Sequence, residues 1–162
     1  MTKANRLQRS LSPIEKVPGP IRTVVRSQVI GRVVPFVGTA GLVIEEMSPE
    51  RVVVRVANKR RVQNHIRSVH AAAMTLIAET ATGFVVGMNV PDDRVPVVKS
   101  LQVDFVKRSK GALRAEATLS AEERERIARE PKGEVLVPVK VTDESGGEPI
   151  ICKMLWAWTP KR

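Results

Sequence analysis

Between His70 and Asp92 the only ionisable side chain is Glu79, set within residues 71–90, the most apolar stretch of the chain. Moving an ionised carboxylate into an apolar interior is costly, so it must find a cation, accept hydrogen bonds or rise in pKa. Each outcome is also how an acid or base is prepared for chemistry. His70 lies nine residues before Glu79, and Asn64 six residues before that. Nine residues of α-helix span about 13.5 Å and a half-integral number of turns, so His70 and Glu79 point to opposite sides. A small site using both needs two chains. In a two-fold dimer the helix start of one subunit can approach the mid-helix carboxylate of the other, giving two equal sites. Arg67 offers a different fate for Glu79, neutralisation in a structural ion pair.

The elements that must hold these residues follow from patterning. Residues 69–86 are rich in Ala, Met, Leu and Ile and favour helix, with Ser68 as the expected N-cap. That helix is apolar nearly all round and therefore has to be wrapped. Before it, two Val-rich runs at 41–47 and 51–57 flank Ser48-Pro49-Glu50 and read as a hairpin. After it, strand-like runs occupy 97–108, 112–119, 134–142 and 149–158, with turns at Lys110-Gly111 and Ser145-Gly146-Gly147. The charged segment 120–133 is helix-prone and decorates a connection, and residues 21–34 form a short helix. A single antiparallel sheet curled around one central helix satisfies this order, because its concave face can cover the helix. Residues 1–20 are polar and basic, are punctuated by Pro18-Gly19-Pro20, and read as a flexible arm before a single domain at 21–162.

Composition narrows the function. With 43% apolar and 27% charged residues the chain is globular. The net charge of +10 calls for an anionic partner: nucleic acid, a membrane surface or a phosphorylated small molecule. Three Phe, two Trp and no Tyr leave little for base stacking, which ranks nucleic acid last. Residues 71–90 have the length of a membrane span, but Glu79, Asn89, two Gly and three Thr argue against one. Cys152 is the only cysteine, so no intramolecular disulfide forms, and a reducing, cytoplasmic location is expected. His65, His70, Cys152 and Glu79 lack metal-ligand spacing, so no metal is expected.

The segment NHIRSVHAAAMTLIAETATG at 64–83 resembles the signature of hotdog-fold acyl-CoA thioesterases of the phenylacetate-degradation type. In that signature an Asn precedes a His, small residues open the central helix, and an acid sits nine residues after the His. Together with VVKSLQVDFVKRSKGAL at 97–113, the wording is similar to an uncharacterised hotdog subfamily related to those enzymes. The resemblance implies an α+β hotdog fold, an antiparallel β-sheet wrapped around a long central α-helix. It further implies thioester hydrolysis at a dimer interface. Glu79 would be general base or nucleophile, Asn64 would orient carbonyl or water, His70 would hold the loop, and the Ala71 N–H would be the oxyanion site.

No separate cofactor is required, coenzyme A being part of the substrate. Its phosphates would meet Lys107, Arg108, Ser109 and Lys110, with Arg67 in reach and Arg60, Arg61 and Lys99 as secondary candidates. The assembly implied is a homodimer or a dimer of dimers (a homotetramer). The chain departs from the pattern in two places: Ala71-Ala72 stand where many of these enzymes have Gly-Gly, and Arg67 where they have Gly. Added methyls at the helix start are the reason to keep a second reading, a non-catalytic acyl-CoA-binding hotdog protein.

Overall fold

The computed structural model describes residues 4–161. In chain order it comprises helices α1 (Arg6–Glu15), α2 (Gly19–Val33) and α3 (Pro35–Ala40), then the hairpin β1 (Val43–Met47) and β2 (Arg51–Val56). A 3-10 turn at Arg60–Val62 leads to the central helix α4 (Ala71–Gly87). The remainder is β3 (Arg94–Phe105), β4 (Leu113–Thr118), α5 (Ala121–Arg129), β5 (Gly133–Val137), β6 (Val139–Asp143) and β7 (Ile150–Pro160). None of the described helices is long and apolar enough to cross a membrane.

Helix α4 is enclosed as its composition demands. Ala73, Ile77, Ala78, Ala81, Thr82, Val85 and Val86 are buried, spread round the helix rather than along one stripe. Strands β2 and β4 pack against it. Their alternation sorts the faces: Leu113, Ala115 and Ala117 of β4 turn inward, whereas Arg114 and Glu116 turn outward. On that outer face Arg51 bonds both carboxylate oxygens of Glu116 at 2.9 Å, and Arg114 bridges Glu116 and Glu45.

The expected antiparallel sheet around the helix is present, but its hydrogen-bonded ladder is divided. One ladder runs β1-β2-β4-β6 and the other β3-β7-β5. The run 134–142, read from sequence as one strand, contains the division: Pro138 separates β5 from β6. A proline supplies no N–H to a ladder. The chain therefore leaves β7 and joins β4 at that residue.

The N-terminal segment departs from the expected flexible arm. Residues 1–3 lie outside the described residues, but 6–15 are helical and docked. Leu11 and Ile14 enter the core, and Asn5 is 7% exposed. Asn5 Nδ2 donates to the carbonyls of Gly87 and Val90, both at 2.8 Å, and Gln8 Nε2 donates to that of Met88 at 2.6 Å. The last carbonyls of a helix have no partner inside it, so the polar residues that suggested a solvated arm serve as donors to the end of α4. Glu15, the lone acid of residues 1–44, binds the buried guanidinium of Arg26 at 2.6 Å, and Arg26 also donates to the Glu45 carbonyl. The apolar spacing Leu7, Leu11, Ile14 was the sequence signal for this helix.

Asn5→Ala removes the hydrogen bonds to the Gly87 and Val90 carbonyls and the side-chain cap of α1, which accepts from Gln8 N at 3.0 Å. The expected loss is about 2 kcal/mol, from a lost cap and unsatisfied carbonyls. Urea unfolding followed by circular dichroism measures it; an unchanged midpoint would mean that α1 is not part of the folded unit.

Candidate active site

Glu79 sits midway along α4 and is half-buried. It opens into a trough of about 250 Å³ walled by Gly83 and Phe84 of the same helix, Pro96 of β3, Trp156 of β7 and Val34 and Val37 at α3. Thr80 supplies its one side-chain hydrogen bond, Oγ1 to Oε2 at a long 3.5 Å. No cation pairs with Glu79 among the described residues, so the ion pair with Arg67 does not form within the chain. Burial raises the Glu79 pKa above its ordinary value, opposed only by the Thr80 contact. The site thus holds a carboxyl group that takes up a proton readily and faces an apolar space.

The trough depends on Trp156. Its Nε1 donates to Thr82 Oγ1 at 2.9 Å, which fixes the ring against α4. A Cβ on Gly83 would lie 2.7 Å from Trp156 Cη2, too close for any other residue without a shift. Sequence reasoning missed this wall. The legible signal was small residues at four-residue steps from the acid, Glu79, Gly83 and Gly87, which share one helical face.

At the other end of the candidate site, the start of α4 is built by a tight loop. Asn64 Oδ1 accepts from the backbone N–H of Ile66 and of Ser68, both at 3.1 Å. Its carbonyl accepts from Arg67 N, and Asn64 N donates to Ser68 O. Arg67 takes a left-handed backbone, φ 59°, rare for a residue with a Cβ. The Asn58 side chain holds the Arg67 carbonyl at 3.1 Å. Asn64 is thereby a loop-forming residue whose amide nitrogen alone is left without a partner among the described residues.

The N-cap of α4 is His70 rather than Ser68: its Nδ1 accepts from Ala72 N at 3.0 Å. An accepting Nδ1 is unprotonated, so the neutral ring carries its proton on Nε2. The expected capping hydroxyl of Ser68 is instead occupied by Arg108, which donates to it at 3.0 Å and to the Ile66 carbonyl at 2.8 Å. His70 O takes the N–H groups of Ala73 and Met74. Of the first turn, Ala71 N–H alone lacks an acceptor among the described residues. Exposed at the positive end of the helix dipole, it suits an oxyanion.

The structure thus groups Asn64, His70, Ala71 and the 107–110 turn, with Arg108 as the tie, and leaves Glu79 apart from them in one protomer. Within that turn the residues divide. Lys107 and Lys110 are exposed, and the Lys110 backbone is held by Asp143 at 2.9 Å. Arg108 is engaged by the 64–70 loop. Ser109 is 4% exposed and its hydroxyl has no partner. Lys99 is paired with Glu134. Arg67 and His65 lie on the surface. The Cys152 thiol is pushed up to about 11 by burial and by Asp104, which keeps it protonated and unreactive at neutral pH.

The raised pKa of Glu79 has a stability consequence with a definite sign. Below 4.5 the carboxyl is protonated in folded and unfolded chains alike, and it contributes no pH dependence. Between 4.5 and the higher folded-state value the unfolded chain has released a proton that the folded chain retains, so stability falls as pH rises. Glu79→Gln removes that cost. The variant should unfold at higher denaturant than the parent at pH 7, with the gap closing below the ordinary carboxylate value; a gap constant across pH would contradict the assignment.

Comparison with known proteins places this architecture. A Pseudomonas aeruginosa protein described as a probable thioesterase superimposes with a TM-score of 0.76 at 26% identity, covering 86% of this chain and 96% of that one. A Haemophilus influenzae thioesterase matches with a TM-score of 0.64 at 12% identity, over 77% of this chain and 82% of that one. A Staphylococcus aureus thioesterase matches with a TM-score of 0.66 at 15% identity, over 78% and 99%. No curated protein is similar to the chain by sequence. Residues 22–158 match the family described as a domain of unknown function (DUF4442). The chain belongs to the DUF4442 family and to the hotdog-fold thioesterase superfamily.

Proposed function

We propose that this protein is an acyl-CoA thioesterase whose site is completed by a second copy of the chain. One observation carries the reading: an unpaired, half-buried carboxyl at the mouth of an apolar trough, Glu79, and an unpaired helix-start N–H, Ala71, lie eight residues apart on one helix. That is about 12 Å, too far for one thioester to touch both within a protomer. The likeness to thioesterases supports the reaction class.

The surface offers a means of assembly. Among the described residues, strand β3 pairs with β7 on one edge and has no strand on the other. Val97, Val98 and Leu101 are 44%, 44% and 41% exposed, and Phe105 is 54% exposed. An edge strand that is long and apolar is a template for pairing. Two copies joined there by a two-fold axis would bring the helix start of each toward Glu79 of the other.

In such a site the thioester carbonyl oxygen would accept from Ala71 N–H. Ionised Glu79 takes a proton from water as the water oxygen bonds to the carbonyl carbon. The oxyanion then collapses, the C–S bond breaks, and the Glu79 carboxylic acid returns the proton to the departing CoA thiolate. Direct attack by Glu79, giving an anhydride that water then hydrolyses, uses the same geometry. His70 and Asn64 position the donor end. Lys107, Lys110 and Arg67 supply free cations for the CoA phosphates.

Release of CoA from a panel of acyl-CoAs tests the proposal. Glu79→Gln should lower kcat by about 10²–10⁴-fold, and the acid limb of the parent's pH profile should fall above 4.5. Tight binding with no release by the parent would favour the non-catalytic reading, with the methyls of Ala71 and Ala72 crowding the donor. Lys107→Ala combined with Lys110→Ala should raise KM for acyl-CoA while leaving KM for an acyl-pantetheine, which lacks the phosphates, unchanged.

A further inference from the structure

We propose that the trough takes an unsubstituted, medium-length acyl chain of about eight to ten carbons, and that Leu7 on α1 is the stop that sets this length. The inference rests on the thioesterase reading and adds the substrate class. Glu79, Gly83 and Gly87 step along one face of α4 in fours, and all three line the trough. From first to last is about 12 Å. An extended chain advances about 1.2 Å per bond, as a polypeptide does over its three backbone bonds per residue, so some ten bonds fit. The volume agrees: 250 Å³ holds about eight groups the size of a water molecule.

At Gly87 the trough is lined by Leu7, whose Cδ2 lies 3.6 Å from where a Gly87 Cβ would stand. Leu7 is not free to swing aside, because residues on either side of it, Asn5 and Gln8, are bonded to the Gly87, Met88 and Val90 carbonyls. The same contacts that cap the central helix therefore locate the end wall. Past Thr80 the lining presents, among the described residues, no side-chain polar group except the Trp156 N–H, which is spent on Thr82. A hydroxyl or charge on the acyl chain would be buried without a partner, which disfavours such substrates.

The test uses the Glu79→Gln protein, so that binding is read without turnover, titrated calorimetrically with straight-chain acyl-CoAs from short to long. Affinity should rise about fourfold for each added methylene until about the tenth carbon, then level or fall. Leu7→Ala should move that break to longer chains. Gly87→Ala, whose added methyl meets only the Leu7 side chain, should move it to shorter ones. Opposite shifts from opposite walls cannot arise from loss of stability, and melting curves identify any variant that does not fold. A break that stays put in both variants, or affinity that rises unbroken to the longest chain, would overturn the proposal. Failure of the thioesterase reading looks different: the length pattern is intact, but the parent protein releases no CoA from the chains that bind best.

Discussion

Helix α4 buries Ile77, Ala78, Ala81, Val85 and Val86 completely, and no single flat surface can cover residues distributed so widely around a helix. The sheet has to curve about it, and that requirement organises the molecule. It explains the inward Ala residues of β4, which let strand and helix approach closely. It also explains why β5 and β6 belong to different ladders: at Pro138 the chain can change partner without wasting a backbone donor. Once the helix is enclosed, its two ends and the gap beside Glu79 are places where polar groups remain accessible.

Those places are treated differently. At the C-terminal end, Asn5 and Gln8 from α1 satisfy carbonyls that would otherwise be buried without partners. At the N-terminal end, His70 satisfies Ala72 N–H and its carbonyl takes the next two, which leaves the Ala71 N–H unpaired and exposed. Along the side, Glu79 has no cation and one long contact, and burial raises its pKa. The fold caps one end thoroughly and leaves a donor and an acid unpaired, and burying that acid costs stability at neutral pH.

The basic residues show why charge by itself is a poor guide to a binding site. Arg51, Arg114, Arg26 and Lys99 are committed to carboxylates, and Arg108 to the 64–70 loop. Lys107, Lys110 and Arg67 keep their charges for solvent or ligand. The left-handed Arg67 belongs to a loop whose turn is made by Asn64, so the Arg is carried outward at the rim of the helix start.

By itself the sequence determined that an apolar helix near residues 70–87 would be wrapped by antiparallel strands, because periodicity, valine content and turn residues act locally. It also singled out Glu79, since one carboxylate in an apolar stretch is conspicuous at any tertiary arrangement, and it separated Glu79 from His70 by helical geometry alone. Tertiary structure decided the rest. Whether residues 6–15 were arm or helix turned on carbonyls some eighty residues away. Ser68 was the expected cap, but Arg108, forty residues on, occupies the serine and His70 caps the helix instead. The trough itself exists because Trp156 packs on Gly83 and Leu7 reaches Gly87, and no local rule ties together side chains that distant in the chain; only the docking of β7 and of α1 on α4 brings them to one face.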